Sequence, residues 1–118
     1  MEIDFDSRGR PVVEKEIWDR LRFRNGAIHT LGAIREGMDY EDLKDSFMFQ
    51  VESILKSGVD ALAHPFRIFH VNGVKRFPKP AELYQPLALL LKRYGVAAEI
   101  NFHINDPEPE FFLACIEN

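Results

Sequence analysis

Apolar and charged residues alternate along Glu2-Ile3-Asp4-Phe5-Asp6, the period-two pattern of a strand with one buried and one polar face. The turn residues of SRGRP (7–11) follow directly. In VVEKEIWDRL (12–21), Val13, Ile17 and Leu21 recur at i, i+4 and i+8 and predict a short helix with a weak β-branched start. GAIHT (26–30) reads as a second strand. The clearest helix comes next. Asp39 and Asp42 stand at its N-cap and first turn, Leu43, Phe47, Val51, Ile54 and Leu55 form its apolar stripe, and Gly58 stops it.

VDALAH (59–64) is too short for a helix and too apolar for an exposed strand, which is how a parallel strand covered on both faces reads. A loop containing HVNGVKRFPKP (70–80) leads to a helix carrying Leu83, Leu87, Leu90, Leu91 and Tyr94 and ending at Gly95. Pro86 either kinks that helix or marks its start. VAAEINFH (96–103) is predicted as a fourth strand. Asp106 and Pro107 are the expected N-cap and N1 of a last helix bearing Phe111, Phe112, Cys115 and Ile116.

Four successive β-then-α units predict an α/β fold built on a parallel sheet, because each crossover returns the chain in the same direction. A closed (βα) barrel takes about eight such units and ~250 residues, so this sequence supplies roughly half of one. Half a barrel leaves two unpaired strand edges and an uncovered apolar face, which a second copy or a completing segment would cover.

Composition narrows the class. With 46% hydrophobic and 29% charged residues in 118, the chain is an ordinary single globular domain. A net charge of -4 gives no general attraction for nucleic acid or an anionic membrane, and the basic cluster RLRFR (20–24) reads as a solvated strand flank. The single cysteine, Cys115, forms no internal disulfide and reads as a core residue, as expected in a reducing cytoplasm. Neither a membrane-spanning run nor a signal peptide is visible, so the expected location is cytoplasmic.

The polar residues fall where chemistry gathers. His29 and His64 close the second and third predicted strands, Asn101 and His103 lie at the end of the fourth, and Glu2 is in the first. In parallel α/β folds those strand ends share one rim, where ligands meet catalytic groups. Two imidazoles and a carboxylate suffice as a first set of ligands for Zn²⁺, Mn²⁺ or Fe²⁺, with a position left for water. Taken one at a time, each histidine reads rather as a hydrogen-bonded core imidazole; only the three residue types together on one rim bring the ligand reading level with it. Arg67, just after His64-Pro65, offers the two parallel donors of a guanidinium to an anionic ligand; a surface arginine is the alternative. Lys75 and Arg76 share that role more weakly, His103 could also serve a turn, His70 is expected in the loop without a role, and Glu99 is expected to be paired on the sheet rather than catalytic.

MEIDFD, GAIHT, DALAHPFRI and AAEIN, in that order and spacing, resemble the PHP (polymerase and histidinol phosphatase) superfamily of metal-dependent phosphoesterases, and its histidinol-phosphatase branch most. The resemblance runs over nearly all of the chain. It implies a partial (βα) barrel of the PHP type in which Glu2, His29 and His64 are metal ligands; Asn101 and His103 are candidates to support those ligands by their place at the end of the fourth strand alone. The resemblance also implies hydrolysis of a small phosphorylated substrate by a metal-activated water, for which Arg67 is the candidate phosphate clamp and Lys75 and Arg76 are weaker ones. The family's full site needs an H-x-H pair upstream and a D-x-H motif downstream, and neither motif occurs in this sequence. Residues 1–118 are thus expected to form the middle of one such domain. They would act either as an enzyme completed from elsewhere or as a non-catalytic metal-binding or assembly module, without independent nucleic-acid binding.

Overall fold

In a computed structural model, the structure describes residues 2–6, 8–29, 31, 37–99 and 108–118. Four strands, β1 (Glu2–Asp4), β2 (Asn25–Ala27), β3 (Ala61–Ala63) and β4 (Ala97–Ala98), form one sheet in the order β1-β2-β3-β4 with every pair parallel. This is the expected α/β sheet. Its order never reverses, so right-handed crossovers, the strongly preferred hand, stack successive helices on the same face.

Register sorts the strand residues into two faces. Glu2, Asn25, Ala61 and Ala97 stand level with one another, as do Ile3, Gly26, Leu62 and Ala98, and then Asp4, Ala27 and Ala63. Because side chains alternate, Ile3, Phe5, Gly26, Ile28 and Leu62 share one face, while Glu2, Asp4, Asn25, Ala27, Ala61 and Ala63 share the other. The first face is the core: Ile3, Phe5, Ile28 and Leu62 are buried against the stripe of helix α2 (Tyr40–Lys56). Gly26 lets α2 approach, since a Cβ there would stand 3.0 Å from Val59, 3.1 Å from Phe5 and 3.2 Å from Ile54. The second face is polar at β1 and floored by alanine at β2 and β3.

Helix α2 forms as its sequence predicts. Asp39 caps it by accepting from the Asp42 backbone N–H, all five stripe residues are buried, and Gly58 leaves it at φ +98°. Helix α4 (Tyr84–Tyr94) ends at Gly95 in the left-handed conformation, and Pro86 lies in its first turn, where no backbone donor is missed. A 3-10 turn (Ala81–Leu83) precedes it. Helix α5 (Pro109–Glu117) begins two residues later than expected, with Glu108 before it and Pro109 at its start; Asp106 and Pro107 lie outside the described residues. Helix α1 (Lys15–Arg20) buries no residue completely. Val13 and Leu21 of the expected face pack against the core, Ile17 is 46% exposed, and Trp18 takes the inner side of the helix, set edge-on to Phe5 and under the Arg24 guanidinium. Helix α3 (Arg67–His70) was not expected and removes His70 from the loop. Cys115 is half-buried rather than fully in the core.

At the outer edge of β1 the chain doubles back. Asp6 accepts from the backbone N–H groups of Arg8 and Arg10, which fixes the turn; chiefly through the Arg10 N–H, this holds its carboxyl below the ordinary range. Pro11 then lies antiparallel beside Phe5, with Asp6 N–H donating to Arg10 O and Val12 N–H to Asp4 O. The proline occupies a position whose nitrogen would not donate to the ladder. One of the two edges expected to be bare is therefore partly covered.

Candidate metal centre

The three residues expected as ligands come together on the polar face. One donor atom each from Glu2, His29 and His64 lies within 4.8 Å of the other two. Glu2 Oε1 is 3.1 Å from His64 Nε2, Glu2 Oε2 is 3.4 Å from His29 Nε2, and the two imidazole centroids are 5.2 Å apart.

Each residue arrives by a different route. Glu2 opens β1, level with Asn25, so it is not at the C-terminal end of its strand as the histidines are; its side chain reaches along the face toward them. His29 lies two residues beyond Ala27 and so continues the polar face of β2. His64 directly follows β3, where strict alternation from Leu62 would put it on the helix side. It has instead a φ of +30°, the only positive value at a described residue other than glycine, and this backbone turn accompanies its contact with Glu2 across the sheet. Left-handed backbone at a residue with a Cβ costs about 1–2 kcal/mol, a strain most often found at functional sites.

The burial of His64 sharpens the geometry. Its side chain is 6% exposed, yet neither Nδ1 nor Nε2 makes a hydrogen bond. Glu2 Oε1 is near enough to Nε2 but out of line for one. A buried polar atom without a partner is destabilising, on the order of 1–3 kcal/mol, unless something else completes its bonding. Donor atoms that stand close together without bonding one another, around a buried imidazole with a free nitrogen, fit a set directed at a common point. Two ring nitrogens and a carboxylate are the donor chemistry of a Zn²⁺-type site.

Around this trio, His29 Nδ1 is hydrogen-bonded to Asp4 Oδ1, and Asn25 Nδ2 donates to Glu99 Oε2. Glu99 is thus paired across the sheet. Asp4 and Asn25 were not singled out from the sequence, although Asp4, two residues after Glu2 in an alternating strand, had to share its face. Arg67 begins α3 three residues after His64, partly exposed, and its guanidinium makes no ion pair with a described residue. Lys75 and Arg76 are exposed; Lys75 Nζ is 5.5 Å from the Phe77 ring centroid. Asn101 and His103 lie outside the described residues. Among the described residues no helix is long and apolar enough to cross a membrane. No family model, curated protein or solved structure matches the chain.

Proposed function

We propose that Glu2, His29 and His64 hold one divalent transition metal, and that the chain is part of a PHP-type (βα) barrel whose chemistry is phosphomonoester hydrolysis. The observation that carries this reading is the buried His64 imidazole, both of whose nitrogens lack hydrogen bonds beside Glu2. The unreversed parallel order of the sheet is that of a barrel segment, and it supports the same reading.

When bound, the ion would supply Lewis acidity toward phosphoryl oxygens and the attacking water. The protein's own residues do the rest. Glu2 spans the two imidazoles, with one oxygen toward each, and holds their separation. Arg67 binds the phosphate of a small substrate through paired N–H donors. The alanine floor at 27, 61 and 63 keeps the face beside the donors free of bulk.

The test is metal content per chain by elemental mass spectrometry, on untagged protein purified without chelator, beside a variant with His29→Ala and His64→Ala. Close to one zinc, manganese or iron per chain, absent from the variant, is the expected result. No metal in either protein would sink the proposal. A second reading, a metal-binding or assembly module without catalysis, draws on the single donor cluster among the described residues, since the family's full site takes up to three ions. Hydrolysis of p-nitrophenyl phosphate by the metal-loaded chain, lost on Arg67→Ala, favours the enzyme; a metal-loaded chain without turnover favours the module.

A further inference from the structure

We propose that Asp4 is the positioning residue of this centre: it fixes His29 in the Nδ1–H tautomer, so that Nε2 is the nitrogen presented to Glu2 and His64.

A neutral imidazole carries one proton on either of two nitrogens, and only the other nitrogen has a lone pair to give. Which one is free is set by the partner of its opposite. His29 lies between two carboxylates of the same strand. Asp4 Oδ1 is in direct hydrogen-bond contact with Nδ1, whereas Glu2 Oε2 is 3.4 Å from Nε2, beyond a good hydrogen bond. The nearer carboxylate accepts from the ring, so Nδ1 carries the proton and donates it to Asp4 Oδ1 in a hydrogen bond. Nε2 is then left as an acceptor, facing the donors of Glu2 and His64.

The backbone makes this arrangement a property of the fold. Glu2 and Asp4 share a face of β1 because they are two residues apart, and β1 and β2 are parallel with Asp4 level with Ala27. His29, two residues beyond Ala27, continues along that face, so Asp4 meets one edge of its ring and Glu2 the other. His64 offers the contrast, for neither of its nitrogens makes a hydrogen bond. His29 is the preset member of the pair.

Asp4 also serves without being needed for folding through its side chain. The side chain is 61% exposed, and its structural contact at the sheet edge, accepting from Val12 N–H, is made by the backbone. Substitution therefore removes the carboxylate while leaving the strand.

The tautomer is read directly by long-range proton–nitrogen NMR of the imidazoles in the full-length, metal-free, ¹⁵N-labelled chain. His29 is assigned by its loss in His29→Gln, in spectra recorded at alkaline pH where the imidazole signals no longer change with pH. In the parent protein His29 shows a protonated Nδ1 and a bare Nε2. Asp4→Ala moves it toward the Nε2–H form, and Asp4→Asn, which keeps an acceptor oxygen, restores the parent pattern. Zinc titration of the same three proteins gives a tenfold to hundredfold loss of affinity in Asp4→Ala, on the scale of lost outer-shell partners, with most of it recovered in Asp4→Asn. An unchanged His29 tautomer in Asp4→Ala overturns the assignment. Equal loss of zinc affinity in the Asn and Ala variants also overturns it, because Asp4 would then be acting by its charge or as a ligand. The significance for metal binding rests on the proposed centre, but the two fail separately: a tautomer that responds to Asp4 in a chain that takes no zinc supports the positioning role and removes the metal.

Discussion

His64 shows how far one backbone angle can redirect a side chain. A strict two-residue alternation predicts its ring on the helix side of the sheet, yet φ +30° accompanies its placement beside Glu2. Asparagine tolerates left-handed backbone and β-branched residues do not. His64→Asn is therefore expected to fold with stability about 1–2 kcal/mol above that of His64→Val; urea denaturation of the two variants checks this. Gly9 is constrained by sterics of another kind. It has φ +74°, and an added Cβ would stand 2.2 Å from Ser53 Cβ. Gly9→Ala is expected to lower stability by about 2–4 kcal/mol, combining backbone strain with overpacking. The identities of Glu2, His29 and His64 as a group were legible from their places in three strands. The turn at His64 was not, because a one-residue excursion leaves no periodic trace.

At the level of elements, legibility followed the length of the periodic signal. Seventeen residues of α2 repeat their stripe often enough to fix the buried face. The six residues of α1 do not: of the expected face Val13 and Leu21, just outside the helix, pack against the core and Ile17 does not, while Trp18, set against Phe5, joins them. The four residues of α3 are too few for any period. A pH response belongs to the joint between α2 and the 3-10 turn, where Lys44 Nζ is 2.7 Å from both Glu41 and Glu82. The hydrogen bond from Lys44 holds the Glu82 carboxyl below its usual value of 4.5. A depressed folded-state value contributes stability that is present above the unfolded value and lost as pH falls through the folded one. The Lys44 ammonium is raised, by Glu41 first and Glu82 second, so its contribution persists through neutral pH and is lost only in strong alkali. Between about pH 5 and pH 3 the urea midpoint of the parent should fall more steeply than that of Glu82→Gln. Parallel slopes would show that the contact adds nothing.

Over the whole molecule, the parallel sense of the sheet followed from counting β-then-α units, while the links between distant loops did not. Lys79 and Glu108, 2.5 Å apart with side chains only 11% and 8% exposed, join the segment before the 3-10 turn to the start of α5. Nothing in the spacing of two charges marks them as partners. Removing the lysine leaves the Glu108 carboxylate buried without this cation, so Lys79→Met should destabilise by about 3–5 kcal/mol, with much of that recovered when Glu108→Gln is added. Equal losses in the single and double variants would mean that packing, not charge, sets the effect.

The return of the chain beside β1 acts as a chain stopper does in polymerisation. Open-ended growth by strand addition needs monomers with two reactive ends, since each new unit must accept on one side and offer on the other. Val12 N–H already occupies the Asp4 carbonyl, and the Pro11 ring stands against Phe5, so at β1 one end is part-way stopped. Whatever meets the sheet at β4, a chain with one blocked end favours finite assemblies over fibres.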